Sequence, residues 1–217
     1  MRYAHLSLVL FGVALLAACA SYQPQGSVMD AVTANDTEAL NYFRRHKKID
    51  EKINSNGETW LMYASRNCSP EHVGTLLESG ANPNKADGNG FTPLLLAAMG
   101  NDKTCEQTTQ TLLASGADVN KANKDGWTPL MMAVRLNRLE TTKALLAAGA
   151  DIHAVDGNGN SALLHAVLWN HPKGVKLLLD NGANPNTENN GVTALMAAQK
   201  RGFTKVAKLL KQAGAQK

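Results

Sequence analysis

Aromatic residues are scarce. Trp, Tyr and Phe make up 5% of the 217 residues, whereas apolar residues as a whole reach 44%, mostly Ala and Leu. Such small side chains suit interlocking helices better than a sheet sandwich or barrel. Charge of one sign is also lacking: a net +4 falls short of the clustered basic face that nucleic-acid binding usually leaves. No apolar run reaches the ~20 residues that span a bilayer. The longest, Leu6 to Leu16, has eleven. Groupings for chemistry are missing too. His46, His72, His153, His165 and His171 do not pair with Cys, Asp or Glu at a metal-binding spacing. His165 reads as a local packing residue. The glycine-rich stretches "DGNGFT" (87–92) and "DGNGNS" (156–161) lack the Lys-Ser/Thr ending of a phosphate loop and the Glu of a calcium loop. They read as turn tips, with Gly and Asn where positive φ is needed. No catalytic residue, metal site, cofactor or small-molecule substrate is therefore assigned, and the chain is not read as an enzyme.

Cysteines number three: Cys19, Cys68 and Cys105. The first ends a leader. Arg2 and His5 precede the eleven-residue apolar run, which has the length of a signal-peptide core. Leu16-Ala17-Ala18-Cys19 closes it and resembles the lipobox of bacterial lipoproteins. That resemblance implies a diacylglyceryl group on the Cys19 thiol, cleavage after residue 18 and acylation of the new amine. Two or more chains give durable anchoring where one is marginal. Ala20 is not the Asp associated with inner-membrane retention, so the outer membrane of a two-membrane bacterium is favoured, with the body in the periplasm. Residues 19–27 form a lipidated tether. Its eight residues after the cysteine reach at most about 29 Å.

The remainder repeats. Five glycines, Gly57, Gly90, Gly126, Gly159 and Gly191, are separated by 33, 36, 33 and 32 residues. A hydroxyl residue follows each by two (Thr59, Thr92, Thr128, Ser161, Thr193), a Leu by four and an Ala by seven. The hydroxyl caps a helix, and Pro93 and Pro129 sit at its first position. A second block, such as "LLESGANPN", carries a Leu pair on a second helix that ends at a left-handed Gly. One helix pair cannot bury its apolar face alone, so neighbours must stack.

This pattern resembles the ankyrin repeat, a turn and two antiparallel helices in about 33 residues. The resemblance implies an all-α solenoid of about six helix-turn-helix repeats with β-turn fingers. Residues 28–53 are expected as a divergent N-terminal capping repeat, because no Gly-Ala ending follows "MDAVTANDTEALNYF". Repeats then occupy 54–86, 87–122 (with an insertion), 123–155, 156–187 and, as a C-terminal cap, 188–217. The family's usual His is replaced by Met62, Leu95, Met131, Leu164 and Met196, so apolar packing is expected in place of its hydrogen bonds. The last repeat is rich in Lys and Arg, read as a solvated outer face or as a patch for lipid headgroups.

Eleven residues after each glycine comes the turn between helices: Cys68, Asn101, Asn137, Asn170 and Gly202. Asn and Gly tolerate left-handed backbone there and Cys does so poorly. The three extra residues of the next repeat lie around "GNDKTCEQ" and carry Cys105. Cys68 and Cys105 thus fall in corresponding loops of adjacent repeats, and export would put them in an oxidising compartment. A Cys68–Cys105 disulfide is expected; the alternative is two free, half-buried thiols. Redox or hydrolytic use of these cysteines would require a low-pKa exposed thiol, and no helper motif accompanies them.

Ankyrin arrays bind proteins along their concave side. Transferred through the repeat register, that side carries Phe91, Met99, Trp127, Arg135, Leu136, Leu168 and Trp169. Trp and Arg dominate protein–protein hot spots. Phe91 and Trp127 have a second role open to them, packing on the neighbouring turn. The partner is expected to be an envelope protein that is supported or protected, or an incoming toxin that is blocked. A structural spacer without a specific partner is the third possibility.

Overall fold

Short side chains start the helices. Ser27 Oγ accepts from the Asp30 N–H while the Asp30 carboxylate accepts from the Ser27 N–H, a reciprocal cap for α1 (Val28–Thr33). Asp36 caps α2 (Thr37–Arg45). The two helices bury Val28, Val32, Leu40 and Phe43. Lys47, at φ 55°, takes the left-handed position after α2 that glycine occupies in every later repeat, which explains the missing Gly-Ala ending. The computed structural model describes residues 26–216. This first pair belongs to a unit ending at Ile49; a second unit begins at Asp50. The leader (1–18) and Cys19 lie outside the described residues.

The second unit holds five helix pairs: α3 (Trp60–Arg66) with α4 (Pro70–Glu78), α5 (Pro93–Ala97) with α6 (Lys103–Ala114), α7 (Pro129–Arg135) with α8 (Leu139–Ala147), α9 (Ala162–Leu168) with α10 (Pro172–Asp180), and α11 (Ala194–Lys200) with α12 (Thr204–Gln212). Each first helix is capped as expected. The hydroxyls of Thr59, Thr92, Thr128, Ser161 and Thr193 accept from the N–H three residues on. Pro93 and Pro129 occupy the first helical turn. Second helices end at left-handed glycines, among them Gly80 and Gly149. First helices stack on first helices and second on second along the array. The last finger departs from a purely helical plan: β1 (Glu188–Asn189) and β2 (Val192–Thr193) pair antiparallel, with Glu188 opposite Thr193. No helix among the described residues is long and apolar enough to cross a membrane.

Two hydrogen-bond ladders, one backbone to backbone and one through Asn side chains, tie the repeats together. In the fingers, Asn54, Asp87, Asn123 and Asp156 each accept two N–H bonds on one side-chain oxygen, which shapes the turn. The turns then bond to their neighbours, Gly88 N–H to Asn56 O (2.6 Å), Lys124 to Asn89 (3.0 Å) and Gly157 to Asp125 (2.7 Å). A Cβ on Gly90 would lie 2.9 Å from the Lys124 nitrogen, so side-chain-free backbone is what allows this approach. At the other end, the Asn84 and Asn120 side chains accept from Asp118 and Asp151 of the next repeat.

Between the ladders lies the apolar core. The positions where the family's His would sit are buried in four repeats, Met62, Leu95, Met131 and Leu164. Apolar packing does replace that His. In the last repeat no later pair follows within the described residues, and Met196 is 47% exposed.

This contrast yields a paired expectation. Met131→Ala removes a side chain that is 1% exposed and costs about 2–5 kcal/mol. Met196→Ala, at the equivalent position, costs under about 1 kcal/mol. Urea unfolding midpoints of the two variants check it, and equal losses would contradict the packing described.

Candidate protein-interaction surface

The five first helices of the second unit contain no Asp or Glu; their charged residues are Arg66, Arg135 and Lys200. Because the helices stack in order, their C-terminal ends form one continuous edge. Helix C-termini carry unsatisfied carbonyls and partial negative charge. Here the following repeat answers them. Arg138 Nε donates to Met99 O (3.2 Å), His171 Nε2 to Arg135 O (2.9 Å) and Arg201 to Leu168 O (2.8 Å). All three carbonyls belong to the same repeat position, so a side chain from the next repeat completes α5, α7 and α9.

At the centre of this edge, Arg135 lies between two indoles. Its guanidinium carbon is 5.0 Å from the Trp127 ring centre and 5.1 Å from that of Trp169. Trp127 comes from a finger, Arg135 from the end of α7, and Trp169 from the residue after α9. Trp127 also packs against His165 of the next repeat, with ring centres 4.3 Å apart and the planes tilted by 35°. His165 is buried and bonds Asp156 (Nε2 to Oδ2, 2.9 Å), the residue that shapes its own finger. A chain of contacts thus runs from finger to finger through Asp156, His165, Trp127, Arg135 and Trp169.

Of the residues assigned from the repeat register, Trp127, Arg135 and Trp169 come together directly. Trp169 is 53% exposed and Met99 39%. Leu136 and Leu168 are half-buried beside Arg135 and Trp169 in the chain, and Phe91 is half-buried one finger earlier. Trp127 serves the array as well as the surface, since one face packs on His165. The His165–Asp156 pair went unassigned in the sequence. Its signal was a lone imidazole at a position held elsewhere by Tyr63, Leu96, Met132 and Ala197.

Burial lowers the pKa of His165, and Arg135 adds to this; the Asp156 carboxylate opposes both. Burial would raise Asp156, but the N–H groups of Asn160 and Asn158, with His165, outweigh it and hold the carboxylate below its usual range. The folded chain therefore binds fewer protons at both sites than the unfolded chain. Stability from His165 is fully present above the unfolded imidazole value near pH ~6.5 and is lost as pH falls below it.

Cys68 and Cys105 are joined in a disulfide, with Cα atoms 4.5 Å apart and a separation of 37 in sequence. Cys68 does sit in the turn between helices, at φ 51°, as Asn137 and Asn170 do in theirs. The expected equivalence of the two loops is corrected in two respects. The three extra residues lengthen the second helix, α6 having twelve residues where its counterparts have nine, and Cys105 lies in its first turn. Asn101 is not left-handed. Asp102 caps α6, and the Thr104 hydroxyl and Cys105 N–H hold its pKa low. Although Cys68, Asp102 and Cys105 cluster within 4.8 Å, the sulfurs bond each other and the carboxylate is engaged. Gly100 makes room for the bridge: a Cβ there would lie 2.0 Å from the Cys105 sulfur.

Two outcomes follow from these contacts. Gly100→Ala should expose the Cys68 and Cys105 thiols to titration in denaturant without reductant, where the wild type shows neither. It should also forfeit up to about 4 kcal/mol, the loop-entropy value for this span. His165→Gln should flatten the decline in urea midpoint expected of the wild type as pH falls below ~6.5. A wild-type midpoint independent of pH over that range would contradict the buried imidazole.

A family model described as ankyrin repeats (3 copies) matches residues 14–87, 80–156 and 143–217. No curated protein matches the chain. Among solved structures, the chain is similar to an ankyrin repeat domain from Acinetobacter baumannii AYE, at 31% identity and a TM-score of 0.71, over 83% of this chain and 100% of that one. Ankyrin repeats are generally modules of protein–protein interaction, and a protein partner is what such a fold implies. With its stacked helix pairs, bonded fingers and matched repeats, this chain belongs to the ankyrin-repeat family.

Proposed function

We propose that this protein is a lipid-anchored component of the bacterial envelope that holds another protein on the face formed by its first helices. The observation that carries the binding role is the Trp127–Arg135–Trp169 cluster. An indole that stays half in water, fixed beside a cation and a second indole, is the kind of group that dominates protein contacts. Phe91, Met99, Leu136 and Leu168 extend the same face with apolar area. Cys19, at the end of the leader, supplies the anchor and places the array in the periplasm, on the outer membrane. The role is to support or protect the bound protein, with no chemistry of its own.

Crosslinking in intact cells tests both halves. The wild type should give discrete crosslinked products in the membrane fraction. The Trp127→Ala, Trp169→Ala double variant should remain folded and membrane-bound but lose those products. Cys19→Ser should leave an uncleaved leader or release the chain from the membrane. Unchanged products from the Trp variant would overturn the binding face, and normal processing and localisation of Cys19→Ser would overturn the anchor.

A further inference from the structure

We infer that the protein segment held on this face is acidic, with an Asp or Glu carboxylate seated on Arg135 and an apolar neighbour against Trp169. This rests on the reading that the first-helix face is the binding face, and adds the chemistry of what it holds.

Charge is the first argument. Across the five first helices of the second unit there is no carboxylate, while Arg66, Arg135 and Lys200 are all cationic. The turns that follow these helices add Arg138 and Arg201, and their one acid, Asp102, is engaged by Thr104 and Cys105. Helix C-terminal carbonyls would otherwise make this edge attractive to cations. Arg138, His171 and Arg201 cancel that tendency by occupying three of them. Glu58 offsets Arg66, and the remaining cations leave the edge favouring anions.

Arg135 itself is the second argument. Arg66 is ion-paired with Glu58, but no ion pair among the described residues involves Arg135. The guanidinium lies over both the Trp127 and the Trp169 rings, contacts that orient it and reduce its hydration. A planar guanidinium held in this way suits two parallel N–H···O bonds to a carboxylate, a geometry a lysine cannot supply. The exposed Trp169 ring beside it gives apolar area to the residue flanking that acid.

The spacing of charge argues against nucleic acid. A phosphate recurs about every 3.4 Å along a strand, whereas α5 and α9, the first helices on either side of α7, offer no Lys or Arg within either helix.

The test pans displayed random peptides on the full chain in detergent, then measures binding of the enriched peptides and their amide counterparts. Enriched peptides should carry Asp or Glu next to an apolar residue. Changing that acid to Asn or Gln should weaken binding about tenfold or more, as should Arg135→Gln, with little further loss when both changes are combined. Arg135→Lys, which keeps the charge and not the paired geometry, should lose part of it. Unfolding midpoints of both variants should match the wild type. If peptides bind through Trp169 but their amide forms bind equally well, the acidic inference fails and the binding face stands. If bound peptides are indifferent to Trp169→Ala and Arg135→Gln alike, the binding face fails with it. Enrichment of no acidic peptide overturns the inference. So does Arg135-dependent retention of phosphatidylglycerol vesicles without any peptide, which would make the partner a lipid surface.

Discussion

Each helix pair in this chain has an apolar face that only another pair can cover. Leu61, Leu94, Leu130, Leu163 and Leu195 are almost fully buried, although none of their helices exceeds seven residues. Helices so short are not stable alone in water. Their stability comes from the neighbouring repeat, and the fingers, caps and glycines are all arranged so that neighbours can approach. Met62, Leu95, Met131 and Leu164 show the constraint most simply, being buried because a further repeat follows each.

The same dependence shapes the candidate surface. Arg135 completes nothing in its own helix; the carbonyl beside it is bonded by His171 of the next repeat, and its side chain rests on indoles from two repeats. Trp127 is held by His165, which is held by Asp156, which shapes a finger. The surface is therefore rigid for the same reason the array is stable. A pre-ordered cation and two ordered rings lose little freedom on contact, which favours tight association for a small area.

The disulfide joins successive repeats at a place where the regular pattern is broken. With five residues, α5 is the shortest of the first helices, and the turn after it departs from the others. Cys68 and Cys105 bridge that irregular turn, over the bare Cα of Gly100. The covalent link thus stands where ladder and core geometry are least regular.

Much of this was legible in the chain. Hydroxyl caps, first-turn prolines, left-handed glycines and apolar spacing act within a few residues, so Thr92, Pro93 and Gly80 read the same in sequence and in structure. The left-handed turns at Asn137 and Asn170 were legible for that reason too, whereas Cys68 was readable only from its place in the repeat register, which misled at Asn101. The insertion was not: three extra residues can lengthen a loop or a helix, and only the packing of α6 against its neighbours decided for the helix. Nor was the His165–Asp156 bond or the seating of Arg135 between Trp127 and Trp169, residues up to 42 apart in the chain. The sequence by itself determined the repeat, its period and where its helices begin, because those are local properties of backbone and side chain. Tertiary structure alone decided which side chains meet across repeats, because that depends on the rotation and spacing with which one pair stacks on the next.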